Sequence, residues 1–73
     1  MAGELVLAEI HGSVWKVLVD EGQAVVAGET VVILEAMKTE IHIAAPSSGK
    51  VARIHARSGR TVATGDKLLV IEA

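Results

Sequence analysis

The chain has no cysteine, so neither disulfides nor cysteine-based zinc sites can hold it together. It has no Phe and no Tyr, and Trp15 is its only aromatic residue. That removes the stacking platform used by single-strand nucleic-acid binders, and a net charge of −2 argues against nucleic acid in general. Proline occurs once, at Pro46. No apolar run approaches the ~20 residues that span a bilayer. The start, Met1-Ala2-Gly3-Glu4, lacks the basic and apolar regions of a signal peptide. Gly3 also stands one place too late for myristoylation. A soluble, cytoplasmic chain with no membrane partner is the expectation.

With 73 residues, the chain is one domain, residues 1–73, near the lower limit for a self-sufficient core. Below roughly 70–80 residues a core alone supplies only ~3–5 kcal/mol. With 51% hydrophobic residues, close packing of Val, Ile, Leu and Ala must carry the fold. Little volume is left for a catalytic cleft.

The strongest organising signal is a duplication. Gly12–Ala36 lies over Gly49–Ala73 at a constant offset of 37, without a gap. Gly12/Gly49, Val14/Val51, Gly22/Gly59, Val25/Val62, Gly28/Gly65, Glu35/Glu72 and Ala36/Ala73 are identical pairs. Two copies are too few for a solenoid. Two copies closing on each other about a pseudo-two-fold axis are expected instead. Ser13–Val19, Thr30–Ala36, Lys50–Ala56 and Lys67–Ala73 read as strands. Thr39–Ala45 alternates Ile41, Ile43 and Ala45 with Glu40, His42 and Ala44, as a half-buried strand does. Gly22, Gly28, Gly49, Gly59 and Gly65 read as turn formers, and Pro46-Ser47-Ser48-Gly49 as a turn cluster. The predicted fold is all-β, a flattened barrel-sandwich of two small antiparallel sheets.

The symmetry separates two regions. Each copy ends at Ala36 or Ala73, and the dyad mate of Lys38 is Met1. The Lys38 hairpin is therefore predicted at one pole and both termini at the other.

Glu35-Ala36-Met37-Lys38-Thr39-Glu40 lies at the point of the central hairpin. Here, and in its paired glycine turns and duplicated halves, the chain resembles the biotinyl domains of biotin-dependent carboxylases, the biotin carboxyl carrier family. The resemblance covers nearly the whole chain. It implies that Lys38 is biotinylated, its ε-amine forming an amide with biotin on a biotin protein ligase. Lysine in water is protonated at neutral pH, so the ligase must remove that proton. Ala36 and Met37 match the residues that precede the family's lysine; Thr39 stands where Met or Leu is usual. Glu35 belongs to the recognition context, although its recurrence as Glu72 equally fits a structural role. The resemblance further implies a non-catalytic carrier that takes a carboxyl group on biotin from a biotin carboxylase. It passes the group to a carboxyltransferase, or takes one from a decarboxylase. The alternatives are a lipoyl carrier of similar fold, and an unmodified barrel acting as an interaction module.

Other constellations carry no chemistry. His11, His42 and His55 lack metal-ligand spacing, so no metal site is expected. Gly59–Lys67 faintly resembles a phosphate loop, but it has five residues between its glycines and Asp66 before Lys67. Trp15 pairs with Ala52 and so breaks the repeat; it reads as a packing or partly exposed residue. Glu40 reads as a solvated strand residue. Charge divides unevenly, with Met1–Ala36 at −5 and Met37–Ala73 at +3. Lys50, Arg53, Arg57 and Arg60 follow one another without an acid, as a solvated face or a docking surface for an acidic partner.

Overall fold

The computed structural model describes Gly3–Ala73. Its elements are strands: β1 (Gly3–Leu7), β2 (Gly12–Val17), β3 (Ala24–Val25), β4 (Thr30–Ala36), β5 (Thr39–Ala44), β6 (Gly49–Ile54), β7 (Thr61–Val62) and β8 (Lys67–Glu72). They form two antiparallel sheets, ordered β1-β8-β6-β3 and β5-β4-β2-β7. An offset of 37 converts one order into the other, since β1, β2, β3 and β4 become β5, β6, β7 and β8. The internal repeat is thus a pair of facing sheets.

The same operation relates the bonds that join them. Gly22 N donates to Val51 O and Gly59 N to Val14 O, at 2.7 and 2.8 Å. Gly28 N donates to Ala45 O and Gly65 N to Ala8 O, both at 2.9 Å. All four glycines sit at φ between 88° and 93°, a region that L side chains rarely adopt. The carboxylates of Glu29 and Asp66 accept the backbone N–H of Val26 and Ala63 in the mated turns. That shared task explains why the repeat tolerates Glu against Asp there.

Gly49 has a different role from the one its place in a turn cluster suggested. It opens β6, and a Cβ there would strike the carbonyl oxygen of Glu72. Gly12, its mate, is held in the same way against the carbonyl of Glu35. Each glycine lets two strands approach closely at the end of a sheet.

The core is wholly apolar among the described residues, with Val31, Val32, Leu34, Leu68 and Leu69 completely buried. β4 and β8, each an inner strand of its sheet, carry the most continuous apolar runs. Their neighbours β2 and β6 each carry one bulge, at Trp15 and at its mate Ala52, where the register skips.

The ladders are shorter than the apolar pattern indicated. β2 ends at Val17 and β6 at Ile54, two residues before the expected ends, and each begins one residue earlier. Val19 and Ala56 remain buried as the chain leaves one sheet for the other. Hydrophobic patterning reports burial, and burial continues past the regular ladder, where Leu18 N still donates to Val31 O and Ala56 N to Leu68 O. β3 and β7, of two residues each, are too short to leave a period in the sequence. β1 has a single buried residue, Val6, and likewise left no pattern.

The molecule measures 36 × 17 × 16 Å. From the β4–β5 turn, β5 runs back beside β4 until Ala44 faces Thr30. The chain then passes Pro46–Ser48 and reaches Gly49, packed against Glu72. Gly3 pairs with Glu72 at the same end. The turn that carries Lys38 therefore lies at the opposite end from Gly3 and Ala73. Met1, expected as the mate of Lys38, lies outside the described residues.

Candidate functional site

β4 and β5 pair up to Ala36 and Thr39, leaving Met37 and Lys38 as a two-residue loop. Both have positive φ, 52° and 63°, although neither is glycine. This is the type I′ geometry, whose twist matches that of antiparallel strands and which normally selects Asn-Gly or Gly-Gly. Left-handed backbone costs an L residue roughly 1–2 kcal/mol. The fold thus holds two ordinary residues in a conformation that local preference opposes. Such strain persists only where the surroundings impose it. Here they are two strands already in register and the apolar side chains of Val31–Leu34 beneath them.

The consequence is projection. Met37 is 96% exposed and Lys38 is exposed beside it. Among the described residues no carboxylate lies within 4 Å of the Lys38 ammonium. An unpaired amine on the tip of a rigid turn is accessible to a partner's active site from a wide range of directions. It fits a group joined by an amide, which needs a free amine and room around it.

The flanking residues divide into two sets. Ala36 and Thr39 close the ladder at the base of the turn. Glu35 and Glu40 face one another across the next rung, and Ser13 lies on the other side of Glu35. Directly opposed like charges destabilise a strand pair. Glu72, the mate of Glu35, instead faces Lys50. The repeat is therefore shared in the backbone, where both carbonyls abut a glycine, and not in the charge environment of the side chains. Glu40 is exposed, as expected, with its carboxylate 3.6 Å from His42 Nε2.

Beside the hairpin lies an open groove of about 550 Å³ between Gly12–Ser13, Glu35–Met37 and Thr61–Ala63, with His11 and Asp66 completing its lining. Sequence reasoning did not find it. Its trace there is that His11, Ser13, Thr61, Ala63 and Asp66 differ from their mates Ser48, Lys50, Ala24, Val26 and Glu29.

The family model described as "Biotin-requiring enzyme" (Biotin_lipoyl) matches residues 1–71. The chain belongs to the biotin/lipoyl family. It is 42% identical over 69 residues to the urea amidolyase of Saccharomyces cerevisiae, covering 94% of this chain and 4% of that protein. It is 40% identical over 68 residues to the biotinylated protein TB7.3 homolog of Mycobacterium leprae, covering 93% of this chain and 96% of that one. The crystal structure of Kluyveromyces lactis urea carboxylase superposes with a TM-score of 0.92 at 42% identity, over 99% of this chain and 6% of that one. The chain thus spans about 4% of the length of the urea amidolyases it matches.

In this biotin/lipoyl chain the other candidates are dispersed. Trp15 is the bulged residue of β2, 44% exposed, with the Lys16 ammonium 4.7 Å from its ring centre. The basic run does not form one patch. Lys50 lies beside Glu72 at the far pole, whereas Gly59 and Arg60 bond to Val14 on β2. Among the described residues no three His, Asp or Glu side chains converge as a metal site.

Proposed function

We propose that Lys38 is the attachment site of biotin and that this chain is the carrier through which a biotin-dependent carboxylase moves carboxyl groups. Membership of the biotin-requiring family supports the cofactor and the non-catalytic role. The observation that supports Lys38 is the left-handed Met37-Lys38 turn, which projects an unpaired amine at one end of a 36 Å molecule.

In loading, a biotin protein ligase presents biotinyl-adenylate. Lys38 loses a proton to the ligase, and Nζ then attacks the acyl carbonyl. The amide C–N bond forms, the acyl–phosphate bond breaks, and AMP leaves with its electron pair. Once attached, biotin supplies a ring nitrogen that accepts and releases a carboxyl group. The chain's own residues do the rest. The strained turn fixes where the arm begins, while Glu35, Ala36, Met37 and Thr39 present the surface that the ligase reads. The opposite pole leaves room for connection to an assembly. The partners in this reading are the ligase, a biotin carboxylase and a carboxyltransferase or decarboxylase. Tethering replaces diffusion of a free intermediate by an effective concentration on the order of millimolar.

The experiment is co-expression with a biotin protein ligase, followed by intact mass measurement and avidin capture. The parent gains the mass of one biotinyl group, and Lys38→Arg, at an exposed position, folds normally and gains none. Biotin retained by Lys38→Arg, or a lipoyl mass on the parent, would overturn the assignment.

A further inference from the structure

We infer that the groove beside the hairpin is a resting site for the bicyclic head of the biotin carried on Lys38. This rests on the assignment of biotin to Lys38 and extends it to residues far from that lysine in sequence.

The first observation is chemical complementarity. The head has an apolar sulfur ring fused to a urea that offers two N–H donors and one carbonyl acceptor. The groove has apolar walls at Gly12, Ala36 and Val62–Ala63, hydroxyls from Ser13 and Thr61, and carboxylates from Glu35 and Asp66. His11 adds a donor. Thr64 N donates to its Nδ1 at 3.1 Å, so the neutral ring carries its proton on Nε2. Carboxylates suit the urea N–H groups, and an imidazole N–H or a hydroxyl suits its carbonyl. A few polar groups among apolar walls are what small-ligand sites present.

The second observation is the dyad, which provides a control within the molecule. The mated groove of about 500 Å³ at the far pole is lined by Ala24, Lys50 and Glu72 among others. Lys50 stands there in place of Ser13 and Ala24 in place of Thr61. The fold therefore requires a groove at each end, but it does not require hydroxyls. They occur only in the groove that includes Met37, next to the arm.

The third is reach. The Lys38 side chain with the biotin acyl chain extends roughly 12 Å, taken from standard bond lengths. The groove begins at Met37, so the arm can fold back on it. Tethering makes the local concentration millimolar, so a head that binds with a millimolar constant is docked about half the time. Such weak docking shields the apolar ring from water and still releases the arm to a partner.

The test compares amide and methyl NMR spectra of the unmodified and fully biotinylated chain, with modification at Lys38 verified by mass. Docking predicts shifts at Thr61, Ala63 and Thr64 as well as at the hairpin. It also predicts nuclear Overhauser contacts from the biotin ring to the Thr61, Val62 or Ala63 methyls. The far groove at Ala24 and Val25 stays unchanged. His11→Ala with Thr61→Ala takes the imidazole donor and one hydroxyl out of this groove, and it should abolish the remote shifts while Lys38 remains fully biotinylated. Shifts confined to Ala36–Glu40 in a modified parent overturn the docking alone. Remote shifts that vanish on dilution mean contact between molecules and also overturn it. Absence of biotin from Lys38 overturns the attachment reading, and the docking with it.

Discussion

At Met37 and Lys38 the backbone adopts a conformation that neither residue favours, with φ at 52° and 63°. Glycine reaches that region without a Cβ clash but gives up more freedom on folding. The balance predicts that Met37→Gly raises stability by about 0.5–1 kcal/mol. Urea denaturation checks this, and an unchanged or lower midpoint would show that the turn is unstrained. The same geometry governs the register of the site. Alternation of strand side chains cannot separate the two positions, because both lie in the loop and both are exposed. Each left-handed residue nevertheless leaves the loop along its own direction, so Met37→Lys/Lys38→Met re-aims the amine while conserving composition, charge and turn length. A misplacement of about 1 Å can cost ~100-fold in rate. The double variant is expected to fold and to accept biotin at least tenfold more slowly at matched ligase. Parental initial rates would mean that the ligase reads only an accessible lysine.

Among the elements, the two close-approach glycines provide a paired experiment. Gly12 sets β2 against the end of β4, and Gly49 sets β6 against the end of β8. In either case an added methyl group forces backbone apart, and overpacking of this kind costs typically 1–3 kcal/mol. Gly12→Ala and Gly49→Ala should therefore lose similar stability in thermal unfolding. Only Gly12→Ala moves the strand that ends in the Lys38 turn. It alone should slow biotin acceptance by the folded protein, measured well below its unfolding temperature. Equal slowing by both substitutions would mean that the effect comes from global loosening and not from the position of β4.

For the molecule as a whole, stability depends on one apolar interior shared by both sheets, with no disulfide and no buried charge among the described residues. Leu34 is completely buried on β4, directly below the hairpin strand's exposed end. Leu34→Ala removes transfer free energy and leaves a cavity, a loss of ~2–5 kcal/mol. Domains are stable by only ~5–15 kcal/mol, and small ones lie at the low end. A fall of the thermal midpoint by 10 °C or more is expected from circular dichroism. A shift of only a few degrees would show that the facing sheets collapse around the missing side chain.

What the sequence determined by itself is what repeats or what stands in one short segment. The 37-residue duplication specified two mated sheets, because identical spacing of glycines and apolar residues must be satisfied by the same backbone twice. The run Glu35–Glu40 placed the candidate lysine in the mid-chain turn between the two copies. Tertiary structure alone decided three things. It gave Gly12 and Gly49 their role, which depends on the carbonyl of a strand more than 20 residues away. It set the left-handed turn, where strand pairing overrides the preference of Met and Lys. It assembled the groove from His11, Ser13, Glu35, Thr61 and Asp66, which no local pattern connects. Close approach, imposed φ and convergence across sheets arise from packing between distant segments, and periodicity along a chain carries no record of them.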